Sequence, residues 1–560
     1  MTNRNYENSI FPNERALNGV TDFAEFNEEE RMIAQTVEQF VEEKVTPEME
    51  QLEKHDYDIA RNLFLSVGEL GLLGVEVPGE YGGLEMGKKA SGLVAEKMGF
   101  AASFSVGFNI HTGVGTLPYV YFGTEEQKAT YLPGVATGEA IGAYALTEPN
   151  SGSDAMSLSA RAKYDESTDE WILNGEKQWI TNAHLASVYV VFARSEEGIT
   201  AFIVERDYQG VSVGPEEEKL GIKGSSTATL ILEDVRVPSK NVLGEVGKGH
   251  YIAFNTLNMA RLKLAFSNIG GTKQALGTAI KYGKERKQFK TEIIKFKMIQ
   301  EKIANIAVDL YGVESSAYYT AQLLENANEK IAAGEKATTH IAATAIDCAI
   351  NKVSASEMLD YAVDEALQIH GGYGYMEEYP VERYYRDARI NRIFEGTNEI
   401  NRMMIAKTVL NQFKKDSGVI DLEVNDDNAY LLAAGEVLKV ILKSVPELEK
   451  EKMDDEQEYL RLLADIVAEI YKMKSVCLRE NHYAGKSSIP KLALEIICEE
   501  GYRKVTHDAI SIIGSMIDSE NEKVAALTEI NRIEVPMLSN ITNKKRAIAE
   551  NLIEHDSYII

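Results

Sequence analysis

Two apolar runs, Val188-Tyr189-Val190-Val191-Phe192 and Thr200-Ala201-Phe202-Ile203-Val204, decide the fold class of this chain. Both are rich in β-branched and aromatic residues, and polar residues separate them, which is the pattern of neighbouring β-strands. A third run of this kind is Thr229-Leu230-Ile231-Leu232. The run Trp171-Ile172-Leu173 precedes Asn174-Gly175, a dipeptide typical of a hairpin turn. We therefore predict a small β barrel or sandwich over residues 140–249.

Helical patterns flank this β region. Before it, apolar residues recur at three- and four-residue spacing from Met32 to Val41, which predicts a helical domain over residues 26–139. After it, helical spacing returns and predicts a helical bundle over residues 250–412. A polar stretch from Lys414 to Asn428 is typical of a linker, and a further helical domain is expected over residues 428–560. The predicted fold class is α+β multidomain, in the order helical, β, helical, helical.

Composition restricts the classes of partner. The chain has 560 residues and a formal net charge of −28. Nucleic acid is not an expected partner, because binding to phosphates needs a basic surface. Membrane association is possible but not favoured, since the apolar stripe from Leu431 to Leu442 is more typical of a packing face. No stretch approaches 18 uninterrupted apolar residues, so no transmembrane helix is expected.

The compartment follows from the cysteines and the N-terminus. The three cysteines, Cys348, Cys477 and Cys498, lie inside apolar helical patterns without CxxC spacing, which indicates small core residues in a reducing cytosol. The N-terminus shows no apolar signal-peptide region, so we expect a cytoplasmic protein.

One acidic residue stands out in Arg392-Ile393-Phe394-Glu395-Gly396-Thr397-Asn398-Glu399-Ile400. A carboxylate between an aromatic residue and a glycine is poorly hydrated, and desolvation raises its pKa towards the range of a general base. Gly396 allows another molecule to approach the backbone closely. The residues from Gly396 to Glu399 also suit a helix cap before Ile400. The segment alone therefore leaves two interpretations open, a general base and an ordinary helix N-terminus.

Two segments of the β region could hold a planar or phosphate-bearing ligand. Residues Ala145–Ala155 combine small hydroxyl residues and glycines, which can cradle a pyrophosphate, but an ordinary turn has the same composition. Residues Gly175–Asn182 place Trp179 near the Thr181 hydroxyl. This pair suits a planar heteroaromatic ligand, and it equally suits a tryptophan in a β core.

Two further segments follow in the third region. Residues Tyr282–Phe289 suit a solvated helix end. Residues Gln368–Tyr375 contain a glycine pair that permits close approach of phosphate, but they lack the Lys-Ser/Thr ending of a P-loop. His370 is more typical of a packed histidine, and no metal site is predicted because no metal-ligand spacing surrounds it.

Taken together and in this order, these five segments resemble the acyl-CoA dehydrogenase family. The resemblance runs from about Phe26 to Asn411, and the segments Lys219–Thr227 and Glu233–Pro238 also match the family's middle domain. The helical block after the linker is most similar to the very-long-chain and assembly-factor subgroup, whose members carry such an appended domain.

The resemblance implies a reaction and its partners. In this family, N5 of FAD takes a hydride from the acyl β-carbon while a carboxylate takes the α-proton, which gives trans-2-enoyl-CoA in fatty acid β-oxidation. The resemblance implies that Glu395 is this base. Some members carry the base just before an arginine on the first helix of the third domain, where this chain has Ala260 before Arg261. The implied substrate is a fatty acyl-CoA, of long chain because of the appended domain. The implied electron acceptor is an electron-transfer flavoprotein.

The resemblance also assigns binding residues. The cofactor-binding positions are Leu146, Thr147, Gly152, Ser153, Trp179, Ile180, Thr181, Arg286, Phe289, Gln368, Gly371, Gly372, Thr397 and Glu399. The substrate-binding positions are Ser153, Asn258, Arg261 and Gly396. Those from Arg286 to Gly372 match residues that reach FAD bound by a neighbouring subunit, which implies a homodimer. Lys290 follows Phe289 where many relatives have glycine, a departure that concerns the local turn.

Two alternatives share the fold. An acyl-CoA oxidase would use O₂ as the acceptor, and a catalytically silent assembly or scaffold protein would do no chemistry. The presence of Glu395 together with Thr147, Ser153, Trp179 and Thr181 favours an active dehydrogenase.

Overall fold

The structure is a computed structural model that describes residues 10–11, 23–415, 428–445, 455–483 and 488–558. Most of the predicted linker and the extreme N-terminus, where no signal peptide is predicted, lie outside the described residues. The domain boundaries predicted above remain a proposal.

The first region is helical. Its helices are α1 (Glu28–Phe40), α2 (Met49–Leu52), α3 (Tyr57–Glu69), α4 (Lys88–Met98), α5 (Ser103–Thr112), α6 (Leu117–Phe122) and α7 (Glu125–Thr137). The helical spacing from Met32 onward is confirmed as α1, which begins after Asn27. The Asn27 side chain accepts a hydrogen bond from the N–H of Glu30, whose carboxylate accepts one from the N–H of Asn27. This reciprocal capping box fixes the start of the helix.

The second region is one sheet. Its strands are β1 (Gly142–Ala145), β2 (Arg161–Asp165), β3 (Glu170–Thr181), β4 (Val188–Arg194), β5 (Ile199–Glu205), β6 (Val211–Glu216), β7 (Thr227–Pro238) and β8 (Val242–Leu243). The order is β6-β7-β3-β2-β4-β5-β8, and β1 pairs in parallel with β4. The three predicted strand runs are confirmed. Alternate residues of β4 enter two apolar clusters, so both of its faces are buried.

The hairpin turn predicted at Asn174-Gly175 is wrong. β3 runs straight through both residues, and its register against β7 shifts between Leu173 and Gly175, which is a β-bulge. The Asn174 side chain pairs across the bulge with Asp234, donating to its carboxylate and accepting from its N–H, both at 2.9 Å. The turn of the hairpin, residues 166–169, joins β2 to β3 instead. An Asn-Gly pair signals a special backbone geometry, which a bulge satisfies as well as a turn.

The third region is again helical, with one small hairpin. Its elements are α8 (Gly249–Glu285), β9 (Lys287–Gln288), β10 (Thr291–Glu292), α9 (Lys297–Ala332), α10 (Ala337–Ala343), α11 (Ala345–His370), α12 (Pro380–Ala388) and α13 (Asn398–Lys415). The last region contains α14 (Ala429–Ser444), α15 (Gln457–Tyr483), α16 (Ile489–Met516), α17 (Glu520–Asn531) and α18 (Ile541–His555).

The appended helices share one apolar core with the third region. Tyr471 of α15 is buried there, and its hydroxyl bonds to Asp347 of α11 at 2.9 Å and to Thr320 of α9 at 2.8 Å. All three cysteines are buried, as predicted. Within the described ranges, no helix has the length and apolar character needed to cross a membrane.

Candidate active site

Glu395 lies in the short loop that leads into α13. Its backbone φ is +58°, in the left-handed region that non-glycine residues rarely adopt, and Gly396 follows with a φ of +82°. The N–H of Ile400 donates to the Thr397 hydroxyl at 3.3 Å, so this segment also caps the helix. The helix-cap interpretation is therefore confirmed for Thr397, and Glu395 lies two residues before that cap, where its role as a base stays a prediction.

The Glu395 carboxyl is poorly hydrated. Its Oε2 atom is shielded from solvent and has no hydrogen-bond partner among the residues that the structure describes. Burial raises the pKa of Glu395 to about 7, although the positive charges of Arg261 and Lys352 oppose the rise. A carboxyl group whose pKa is near neutral and whose oxygen is unpaired is suited to accept a proton.

Helix α8 brings the predicted substrate-side residues to this loop. Arg261 donates from Nε to the Glu395 carbonyl at 3.0 Å and from Nη1 to the Asn258 side chain at 2.9 Å. A side chain at Gly396 would meet the Arg261 guanidinium at 3.5 Å. Asn258, Arg261, Glu395 and Gly396 therefore form one cluster.

A cleft opens beside Glu395. Apolar side chains from α5, α8 and α11 line much of it: Val106, Ile110, Leu264, Leu359 and Val363. Gly99, Ala260 and Gly271 also line it, and their small size leaves room for a ligand. A second carboxyl in this lining, Asp387, has a pKa raised by burial to about 6, and the N–H of Ile222 donates to it.

The β region places its predicted residues side by side. Leu146 and Thr147 follow β1, and the N–H of Gln178 donates to the Thr147 carbonyl at 2.9 Å, which holds the end of β3 against them. Burial, and next the negative charge of Glu395, raise the pKa of Tyr144 in β1.

Trp179 is not a core tryptophan. Its side chain is 58% exposed and its φ is +58°, whereas Trp171 is the tryptophan that packs in the β core. Exposed aromatic residues in strained backbone recur at ligand sites. Its neighbour Ile180 is buried, and Thr181 ends the strand. Gly152 and Ser153 lie in the loop between β1 and β2, and a side chain at Gly152 would meet nothing within 4 Å.

A second group of predicted residues lies at the other end of α11. The Arg286 guanidinium stacks over the Tyr373 ring at 5.2 Å, and Gly371 has a φ of +60°. Side chains at Gly371 or Gly372 would meet nothing within 4 Å. Gln368 lies 16 residues beyond Lys352, which contacts the Glu395 loop, so the group is roughly 24 Å along the helix from that loop.

The hairpin between β9 and β10 completes this second group. Phe289 and Lys290 form its two-residue turn with φ values of +51° and +65°, so the turn keeps a left-handed geometry without glycine. Phe289 is 90% exposed. The interpretation of His370 as a packed histidine is confirmed, since its ring stacks on Tyr282 at 4.0 Å.

Two supporting pairs could not be predicted from the sequence. Glu148 and Lys177 form a buried ion pair at 2.7 Å, and Lys177 also donates to the Leu146 carbonyl at 3.2 Å. Lys352 donates to the Gly396 carbonyl at 2.8 Å and to the Asn398 side chain at 2.6 Å. Glu148 and Lys177 lie inside two segments singled out from the sequence, but nothing there pairs them with each other, and no motif marks Lys352.

Family models match successive parts of the chain. They are the acyl-CoA dehydrogenase N-terminal domain over 27–139, the middle domain over 143–235, the C-terminal domain over 247–410, and a further acyl-CoA dehydrogenase C-terminal domain over 433–532. The chain belongs to the acyl-CoA dehydrogenase family. The predicted family and the enzyme class are thereby confirmed.

Proteins named as acyl-CoA dehydrogenases are similar to this chain over most or all of its length. A "Probable acyl-CoA dehydrogenase" of Bacillus subtilis (strain 168) is 42% identical, over 96% of this chain and 95% of that protein. A crystal structure of an acyl-CoA dehydrogenase complexed with FAD from Bacillus anthracis superposes with a TM-score of 0.93, 41% identity and full coverage of both chains. The short-chain specific mitochondrial acyl-CoA dehydrogenase of Mus musculus is 38% identical, over 71% of this chain and 94% of that protein.

FAD is the cofactor of the acyl-CoA dehydrogenase family, and the predicted positions fit such a group. Open space lies beside Gly152, Gly371 and Gly372, where a side chain would meet nothing. Trp179 and Phe289 each present an exposed aromatic surface that a planar or apolar group could cover.

Proposed function

We propose that this acyl-CoA dehydrogenase oxidises long-chain fatty acyl-CoA to trans-2-enoyl-CoA, with Glu395 as the base that takes the α-proton. The observation that carries the proposal is the Glu395 carboxyl group, which lines the cleft with an unpaired, buried oxygen and a pKa of about 7. An α-C–H beside a thioester is a weak acid, so its removal needs a desolvated base.

The chain's own residues orient this base. Arg261 holds the Glu395 carbonyl from α8, and the ammonium of Lys352 holds the next carbonyl from α11. These contacts aim the carboxyl group while leaving one oxygen unpaired. Bound FAD would supply the acceptor for the hydride from the β-carbon.

The length of the cleft supports a long acyl chain. Ala260 and Gln274 both line the cleft from α8 and are 14 residues apart, which is roughly 21 Å along a helix. An extended chain advances about 1.2 Å per bond, so roughly 17 bonds would fit along this wall. The proposed chain length differs from that of the short-chain specific relative from Mus musculus, which matches 71% of this chain.

The cofactor would be held by two surfaces in this proposal. The first surface belongs to the same chain as Glu395. It would consist of Leu146, Thr147, Gly152, Ser153, Trp179, Ile180, Thr181, Thr397 and Glu399. The group from Arg286 to Gly372 would serve a second copy, because it lies roughly 24 Å from its own Glu395 loop along α11. We therefore propose a homodimer as the active form, with an electron-transfer flavoprotein as the acceptor.

The test compares the two carboxyl groups of the cleft. With palmitoyl-CoA under anaerobic conditions, Glu395→Gln should retain FAD and lose flavin reduction by several orders of magnitude. Asp387 also has one buried, unpaired oxygen, but its other oxygen is held by the N–H of Ile222, so Asp387→Asn should still bleach the flavin. Near-normal flavin reduction by Glu395→Gln would show that Glu395 is not the base. Loss of flavin reduction only in Asp387→Asn would show the same.

A second measurement tests the substrate and the acceptor. In a series of saturated acyl-CoAs from butyryl to stearoyl, the fall in flavin absorbance should be fastest with long chains. A maximum at butyryl-CoA would contradict the long-chain proposal. Stoichiometric peroxide release in air would favour an oxidase, and a flavin that no acyl-CoA reduces would favour a scaffold protein.

A further inference from the structure

The loop that carries Glu395 needs outside support. Glu395 is a non-glycine residue in left-handed backbone, a conformation that persists only where neighbouring groups hold it. The next carbonyl, that of Gly396, accepts two hydrogen bonds at 2.8 Å, one from the Lys352 ammonium and one from the Asn401 amide. These two side chains therefore fix the peptide that follows the base.

Lys352 contributes a charge as well as a hydrogen bond. Its side chain is completely buried on α11. Burial lowers its pKa to about 7, while the negative charges of Glu395, Glu357 and Glu399 oppose that fall and Arg261 adds to it. A buried ammonium is stable only where its donors are satisfied, and Asn398 accepts a second hydrogen bond from it at 2.6 Å.

The support continues outward to the appended helices. Asn398 donates to Glu357 at 3.0 Å, and Glu357 accepts both Nη atoms of Arg402, at 2.6 and 2.8 Å. Arg402 also donates from Nε to Asp465 at 2.7 Å. Asp465 belongs to α15, so an unbroken path of hydrogen bonds joins the appended domain to the Gly396 carbonyl. Its inner links are bidentate or charge-assisted, which makes them geometrically specific.

We propose that Lys352 is a positioning residue for Glu395 and that Asp465 anchors it through Arg402, Glu357 and Asn398. The appended domain then acts on catalysis by fixing the loop that carries the base. This inference rests on the proposed role of Glu395 as the base.

The inner end of the path is tested with Lys352→Met and Lys352→Arg. The groups that face Glu395 are Arg261 from α8, Lys352 from α11 and Tyr144 from β1. Loss of one positive charge should therefore raise the pH midpoint of flavin reduction by about one pH unit in Lys352→Met. Lys352→Arg should restore much of the wild-type midpoint. A purely structural role would lower FAD content or yield without moving the midpoint.

A readout that does not depend on turnover is the infrared band of the protonated Glu395 carboxyl group, identified by its absence in Glu395→Gln. Its titration midpoint should rise in Lys352→Met by the same amount as the kinetic midpoint. An unchanged midpoint in both measurements would overturn the proposal for Lys352.

The outer end is tested with Asp465→Asn against Asp309→Asn. Asp309 of α9 pairs with Lys472 of α15 at 3.0 Å, so it joins the same domains outside this path. Asp465→Asn should lower kcat several-fold with little change in KM and move the pH midpoint upward, whereas Asp309→Asn should leave the midpoint unchanged. Equal effects of the two variants, or none from Asp465→Asn, would overturn the anchoring role.

Failure of this inference can be told from failure of the proposed function. If Glu395→Gln still reduces flavin, the base itself is wrongly assigned. If Glu395→Gln is inactive while Lys352→Met and Asp465→Asn keep wild-type midpoints, the base stands and the path is wrong.

Discussion

Replacement of Glu395 by glutamine should stabilise the protein above neutral pH, although it removes the proposed base. Burial raises the pKa of this carboxyl group from 4.5 to about 7, even after the attraction of Arg261 and Lys352. At 1.36 kcal/mol for each pKa unit, keeping the charged form in the folded protein costs roughly 3 kcal/mol. Glutamine has nearly the same shape and never pays this cost.

The sign of the change in the free energy of unfolding with pH follows from proton binding. Between pH 4.5 and 7 the folded protein keeps the Glu395 proton while the unfolded chain has lost it, so the free energy of unfolding falls as the pH rises. The glutamine variant lacks this slope. Relative to wild type, Glu395→Gln should therefore gain about 2.5 kcal/mol between pH 5 and pH 8.

The assay is urea unfolding of the FAD-free protein at both pH values. The matched control is Glu399→Gln in the first turn of α13. A backbone hydrogen bond lowers the pKa of Glu399, so that carboxylate stabilises the folded protein above its unfolded pKa and its loss should have the opposite sign. If Glu395→Gln differs from wild type by the same free energy at pH 5 and pH 8, Glu395 is not the strained, poorly hydrated group described above.

Three further outcomes follow from the same contacts. Glu76→Gln should lower the free energy of unfolding at neutral pH by about 3–5 kcal/mol, measured in urea, because it leaves two buried lysines without their counter-charge. Gly271→Leu should slow flavin reduction by palmitoyl-CoA far more than by butyryl-CoA, because Gly271 lines the cleft, whereas Gly277→Leu on the same helix should not discriminate between the two. Arg286→Ala should lower the FAD content at low protein concentration if this arginine serves a second copy, and an unchanged flavin absorbance on dilution would contradict that role.

Local sequence determined much of the architecture. The β-branched runs at Val188 and Thr200 were sufficient to predict β4 and β5, because strand propensity and burial on both faces agree there. The hairpin turn predicted from Asn174-Gly175 was wrong because the residue that pairs with the Asn174 side chain, Asp234, is 60 residues away. A dipeptide signals an unusual backbone, but only the pairing strand decides between a turn and a bulge.

The sequence by itself determined the family, because five segments match it in order, and the resemblance then singled out Glu395 as the acidic candidate. Only the tertiary structure decided what surrounds that carboxyl group. Arg261 and Lys352 hold the carbonyls of Glu395 and Gly396 from two different helices, and a path of hydrogen bonds leads from the Gly396 carbonyl to Asp465 on a third. The physical reason is that hydrogen bonds and burial depend on distance in space, and these partners are far apart along the chain.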